Sequence, residues 1–266
     1  MTMQLLLGFF FALLVALAAY RAHSLDRSGT IAAILVGTVI FGIGGWQWAI
    51  LLLTFFITSS GLTRAFKKRK TGLNEKFSKG GQRDAGQVFG NGGLATLFAG
   101  LSYFFPGQPW VWVAFAASLA AVNADTWATE LGVLNPHPPR MISNLAKVVE
   151  KGTSGGISLA GTLASLAGAG LIGLLAITFP PLPVSPLTGL FITLAGLAGS
   201  LFDSFLGATV QAIYHCPTCN KETERFPLHT CGAATTLKRG WPWLDNDWVN
   251  FGCGAFGVLV VLLLLI

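Results

Sequence analysis

Charge is what this 266-residue chain has least of: Lys, Arg, Asp and Glu make up 11% of it, against roughly 25% in an ordinary soluble domain. Too few polar groups remain to clothe a globule in water, which excludes a soluble enzyme. The apolar share of 53% likewise excludes a disordered chain. Four cysteines are too few for a disulfide-rich secreted module. Acidic residues are scarcer than basic ones, leaving a formal charge of +6. No basic segment interleaved with aromatics accompanies that excess, so nucleic acid is not an expected partner. Basic loops lying beside anionic lipid head groups account for it instead. What remains is a polytopic membrane protein.

The first apolar run, Met1 to Tyr20, has no Lys or Arg ahead of it and no small-residue cleavage site. It is expected to stay in place as a transmembrane helix. Crossing a hydrocarbon core of about 30 Å takes roughly 20 apolar residues. Eight spans are expected, at about 3–21, 29–43, 46–63, 87–105, 110–131, 155–179, 186–213 and 249–266. Lys and Arg are missing from the short loops 44–45, 106–109 and 180–185. All 17 lie in the loops 22–28, 64–86, 132–154 and 214–248 or at the adjoining helix ends. The positive-inside rule makes that charged face cytoplasmic, in the cell membrane, with both termini on the opposite side. Joining the second and third spans across Gly44 and Gly45 would put Arg21 and Arg27 opposite the Lys67–Lys70 run, so the two are read as separate. Glycines such as Gly168, Gly173, Gly196 and Gly199 inside the spans predict close helix packing. The expected architecture is an all-α polytopic transmembrane bundle, one domain over 1–266, with 214–248 as a cytoplasmic loop insert.

Polar residues are costly inside apolar segments, and here they gather at one level. Asp84, Asn91, Asn123, Asp125, Glu130, Asp203, Asp247 and Asn250 all fall at or near the cytoplasmic ends of spans four, five, seven and eight. A conduit would string such groups along its depth, whereas a catalytic centre open to the cytoplasm would collect them. Span four opens with Arg83 and Asp84, then Gly90, Asn91, Gly92 and Gly93. This is either a cradle of backbone N–H groups for phosphate or a tightly packed helix start. It lacks the Gly-Lys-Ser/Thr ending of a Walker loop. Lys151, Thr153 and Ser154, with Lys147 nearby, precede Gly155 and Gly156. They form a second phosphate-facing element or ordinary positive-inside decoration.

Asp125 and Glu130, five apart on a helix, diverge by about 140°. One carboxylate can face the centre while the other serves the helix end or pairs with a loop cation. Asp203 sits between Gly199 and Gly207, which leave room beside it. Acidic groups from separate helices next to an anion site suit Mg²⁺ bound to phosphate. Asp125 and Asp203 are the expected ligands, with Asp247 and Asn250 closing the site and Asn123 and Glu130 completing it. Two further pairs, Cys216 with Cys219 and His229 with Cys231, have the spacing of a tetrahedral structural Zn²⁺ site in the 214–248 loop. Free or redox-active thiols are the alternative. Cys253, inside the last span, reads as a small buried apolar residue.

Five stretches in order carry a resemblance: Arg83-Asp-Ala-Gly-Gln-Val-Phe-Gly-Asn-Gly-Gly, Asn123-Ala-Asp-Thr-Trp-Ala-Thr-Glu-Leu-Gly, Gly152-Thr-Ser-Gly-Gly-Ile-Ser-Leu-Ala-Gly-Thr, Asp203-Ser-Phe-Leu-Gly-Ala-Thr-Val-Gln and Asn246-Asp-Trp-Val-Asn. Together they resemble the integral-membrane phytyl-phosphate kinase family of the tocopherol pathway, with its mostly uncharacterised bacterial, archaeal and animal transmembrane relatives. The resemblance implies phosphoryl transfer from a nucleoside triphosphate, CTP favoured, to a prenyl or phytyl monophosphate, giving the diphosphate. Its implied partners are an isoprenoid lipid phosphate and a nucleotide among membrane lipids; a homo-oligomer is left open. Fold and motif do not fix the lipid. Two rivals stand beside this reading: a kinase for the free polyprenol, and a transporter of lipid phosphate or a small anion. An anion carrier would have no use for Asp125, Asp203 and Asp247 unless a cation travelled with its cargo.

Overall fold

Eight α-helices run through the computed structural model, which describes residues 2–66, 76 and 80–266. They are α1 (Thr2–Arg21), α2 (Arg27–Val39), α3 (Trp46–Phe66), α4 (Ala85–Phe104), α5 (Pro109–Gly132), α6 (Leu159–Thr178), α7 (Pro186–Thr209) and α8 (Asn246–Leu264). The basic run Lys67–Lys70 lies outside the described residues. A π-helical turn, Ile40–Gly44, extends α2. Gly45, with φ at +95°, then turns the chain into α3. The two spans on either side of the glycines are therefore separate, as the charge pattern requires.

Six of these helices are long and apolar enough to cross a membrane: α1, α2 with its π-turn, α3, α6, α7 and α8. The other two, α4 and α5, carry the polar ends of the motifs. For α5 the reason is its position. Every residue from Val111 to Ala124 is buried, and the helix packs on α3, α4, α6, α7 and α8. A helix covered all round is a core element, and it needs no lipid-facing stripe. Trp112 and Phe115 of α5 meet Trp48 of α3 with ring centroids 5.1 and 4.5 Å apart, an aromatic cluster at the end away from the polar motifs.

Small residues bring the other helices in. A Cβ at Gly199 of α7 would lie 2.6 Å from Ala121 Cβ and 2.7 Å from the Cys253 carbonyl oxygen, so α5, α7 and α8 touch through their backbones. At Gly8 a Cβ would lie 2.8 Å from the backbone of Gly42, and α1 seats on α2 and its π-turn through the buried small residues Gly8, Ala12, Ala16 and Ala19. The large side chains of α1, Phe9, Phe10, Phe11 and Leu14 among them, point outward, as a lipid-facing surface should.

The connections after α1, α5 and α7 meet at one end of the bundle, together with Lys76 and residues 80–84 ahead of α4. Leu25 pairs in parallel with Arg83. Arg64 donates to Ser24 Oγ at 2.9 Å and Lys76 pairs with Glu150 at 2.8 Å. Ser154 Oγ donates to Gln211 Oε1 at 2.6 Å. Asp26, Asp84, Ser158 and Asp245 cap the helices that start here, each accepting from the first-turn backbone. Two small antiparallel sheets lie in the long connections. One holds β1 (Arg140–Met141), β2 (Asn144–Val148) and β3 (Gly156–Ile157) in the order β2-β1-β3. The other holds β4 (Ile213–Cys216), β5 (Lys221–Thr223) and β6 (Thr236–Arg239) in the order β5-β4-β6. They trim two of the expected spans. Residues 155–158 belong to β3 and the α6 cap, because Gly155 at φ +84° and Ser158 start the helix only at Leu159. Likewise α7 stops at Thr209, and Ile213 enters β4.

Gly29 is where α2 crosses the segment entering α4: a Cβ there would overlap the Arg83 carbonyl oxygen. Gly29→Ala should therefore cost about 1–3 kcal/mol and lower the melting temperature in detergent. Gly61→Ala, where the space is open, should be neutral or stabilising by about 0.5–1 kcal/mol. Equal melting temperatures for the two variants would contradict the crossing.

Candidate functional site

A polar cavity of about 360 Å³ occupies the end of the bundle where these connections meet. Its walls come from the ends of α3 and α5, the starts of α4 and α8, the middle of α7 and the 151–158 loop. Asp125 lies in the wall where α5 leaves its buried core. Asp203 of α7 is near enough to feel the charge of Asp125, and both feel Glu224. Among the described residues neither aspartate has a hydrogen-bond or ion-pair partner. Ser165, Ser200, Ser204 and Asn250 line the same space. Two like charges brought together away from water are costly unless a cation is shared between them.

The cationic side of the cavity is Arg83. Its Nη1 donates to Ser60 Oγ at 3.0 Å, and its guanidinium lies over Phe55 and Phe56, 5.7 Å from each ring centroid. Burial lowers it to about 10, against the opposing pull of Glu130, so it stays cationic at neutral pH. Glu130 is buried and accepts from Thr63 Oγ1 at 2.8 Å. Opposite stands the loop from Lys151 to Ser154. Lys151 Nζ donates to the carbonyls of Val133 and Asn135, closing the C-terminal end of α5 where the helix dipole favours a cation. The loop can lie this close to α7 only because Gly155 and Gly207 have no side chains: a Cβ at Gly207 would sit 2.6 Å from Ser154 Oγ.

Of the residues singled out in the sequence, Arg83, Asn91, Asp125, Glu130, Lys151, Thr153, Ser154 and Asn250 line the cavity, and Asp203, just outside its lining between Leu201 and Ser204, feels the charge of Asp125. The others lie elsewhere. Asp84 is the N-cap of α4, closing a capping box with Gln87. Asn123 is buried just below the cavity and ties three helices together: its Nδ2 donates to the Gly168 carbonyl at 2.8 Å, and Thr58 Oγ1 donates to its Oδ1 at 3.1 Å. Gly90 packs on the backbone of Asp247, where a Cβ would meet the carbonyl oxygen at 2.7 Å. Gly92 faces Val36, and Gly93 faces open space. Asn246 rather than Asp247 joins Asn250 in the cavity wall.

Arg64 and Glu224 are wall residues that the sequence did not single out. Glu224 follows β5 in the cysteine-bearing loop, and Gln211 Nε2 donates to its carboxylate at 3.0 Å while Gln211 Oε1 accepts from Ser154. No local motif marks it. Only the folding of the loop back over α7 brings it in.

In that same loop the ligand atoms of Cys216, Cys219, His229 and Cys231 all lie within 4.8 Å of one another. Cys216 Sγ is 3.6 Å from Cys231 Sγ, and His229 Nδ1 is 3.3 Å from it. Four ligands at zinc bond lengths would stand roughly 3.3–3.8 Å apart, so the group fits one tetrahedral ion. Hydrogen bonding from His229 holds the Cys231 thiol down at about 6, while bonding to Cys231 pushes Cys219 up to about 11.

The integral membrane family DUF92 matches residues 10–258, and the chain belongs to it. Protein PGR of Arabidopsis thaliana is 37% identical, covering 90% of this chain and 88% of its own length. An uncharacterized membrane protein of Methanocaldococcus jannaschii is 36% identical, over 79% of this chain and 86% of its own. Protein VTE6, chloroplastic, of Arabidopsis thaliana is 24% identical, over 90% of this chain and 65% of its own. No solved structure matches. Family membership agrees with the resemblance carried by the five motifs.

Proposed function

We propose that this member of the family transfers a phosphoryl group from a nucleoside triphosphate, CTP favoured, to a prenyl or phytyl monophosphate. The observation that carries the reading is Asp125 in the wall of a cavity that also bears Arg83, Arg64 and Lys151, with Asp203 of α7 near enough to feel its charge and neither aspartate holding a cationic partner among the described residues. Such a site has a place for a divalent cation and a place for phosphate, side by side. Asp125 and Asp203 would hold Mg²⁺, which supplies charge neutralisation on the phosphates when bound. Glu224, in the wall of the same cavity, would add a third carboxylate or orient water on the ion. Arg83 and the Thr153–Ser154 loop would hold the phosphates in line, and transfer to an already ionised acceptor needs positioning more than a base. The cavity end, which gathers the basic residues, would face the cytoplasm, with both termini on the far side. Cys216, Cys219, His229 and Cys231 would hold a structural Zn²⁺ that fixes the loop carrying Glu224.

Purified protein incubated with Mg²⁺, each nucleoside triphosphate and a panel of prenols and prenyl monophosphates should form a diphosphate from the monophosphate. Asp203→Asn should lower turnover by about 10²-fold or more with a melting temperature close to that of the native chain. Near-native turnover by the folded variant would remove the metal assignment, and product from the free alcohol alone would turn the reading toward a polyprenol kinase.

For the loop, elemental analysis should find one zinc per chain, with Cys219→Ser losing it and melting earlier. Zinc-free protein of full stability would refute a structural ion.

A further inference from the structure

A second cavity, almost wholly apolar, lies between α1 and α3, with α2 and α4 as its floor. Its volume is about 170 Å³. From Ala19 to Phe11 along α1, and from Phe56 to Ala49 along α3, it follows the helices for about 10–12 Å at 1.5 Å per residue. Phe11 and Val15, on its α1 side, are exposed where lipid would be. Among the described residues Arg83 is the only charged one in its wall. Arg83, Gln87 and Asn91 line this furrow and the polar cavity alike, so the two spaces adjoin through those three side chains.

We infer that this furrow holds the first part of the hydrocarbon chain of a lipid monophosphate, whose phosphate sits on Arg83. The inference rests on the kinase reading above for the head group, and on the furrow itself for the tail. An amphiphile with one anionic end fits the lining: apolar walls along the helices, and a guanidinium at the inner end that, among the described residues, gives one of its five N–H donors to Ser60. A straight slot would be built from large side chains. Here Ala33, Ala49 and Gly92 leave width along it, which suits the methyl branches of an isoprenoid chain. The chain would enter sideways from the bilayer between α1 and α3, its remainder staying in lipid. Its phosphate would then face the Asp125 side of the polar cavity. Gly92 thereby has a use its place in the sequence did not suggest. It borders the tail, not the nucleotide.

The probes are geranylgeranyl monophosphate and isopentenyl monophosphate, which share a head group and differ in tail length. Ala49→Trp fills the furrow from α3. It should weaken geranylgeranyl monophosphate binding about tenfold or more in the same detergent while leaving isopentenyl monophosphate unchanged. Arg83→Gln should weaken both. A geranylgeranyl monophosphate carrying a diazirine on its first isoprene units should label residues of the furrow, Phe11, Val15, Leu52 or Leu53, in the native chain, which keeps the test open if Ala49→Trp does not fold. Unchanged long-chain affinity in a folded Ala49→Trp, or label confined to other helices, would overturn the inference. Phosphorylation of isopentenyl monophosphate, which needs no furrow, reports on the kinase reading separately. Tail binding without transfer would sink that reading and spare the furrow, and transfer without furrow labelling would do the reverse.

Discussion

The enclosure of α5 is the constraint on which the rest depends. A helix surrounded by five others can end in Asp125, Thr126 and Glu130 without exposing them to lipid. Its neighbours must then come close enough to shield it, and Gly196, Gly199 and Gly257 allow this by leaving their backbones against Ala120 and Ala121. Close approach of α7 is also what sets Asp203 near Asp125. The packing that encloses the core and the geometry of the carboxylate pair thus have one cause. A larger residue at Gly199 would part α7 from α5 and the two charges with it.

Around that pair the sheets and caps fix what the helices leave loose. Ser158 and Gly155 hold the 151–158 loop at the start of α6, and Gln211 links that loop to Glu224. Arg239 Nη1 donates to the Gly207 carbonyl at 2.8 Å, anchoring β6 on the same turn of α7. Cysteine cluster, β-sheet and cavity wall are therefore one connected unit. An ion in the cluster would act on the cavity through Glu224 rather than by touching substrate. Arg83 plays the corresponding part on the other side, where polar cavity and apolar furrow share it.

Much of this was legible in the chain. Scarce charge and the one-sided placement of Lys and Arg gave the membrane architecture and the separation of α2 from α3. The five motifs gave most of the cavity wall. What was not legible is tertiary. Asp84 and Lys151 look like site residues in a string, and their strongest contacts are a capping box and the C-terminal carbonyls of α5. Asn123 carries a motif position yet spends both ends of its amide on helix cross-links. Arg64 and Glu224 reach the cavity from segments with no signature, since their positions follow from the fold of loops. Strands of two to five residues, one of them exposed along its whole length, leave no alternation to read, so both small sheets went unseen.

The central claim is that Asp125 and Asp203 share a divalent cation with the phosphates of a nucleotide. Mn²⁺ titrated into the purified protein with a non-hydrolysable nucleoside triphosphate, and followed by the free-ion electron paramagnetic resonance signal, tests it without turnover. The account predicts that the native chain withdraws about one equivalent of Mn²⁺ beyond what nucleotide alone takes up, and that Asp125→Asn and Asp203→Asn chains of unchanged melting temperature withdraw almost none. Equal uptake by native and variant chains would contradict it.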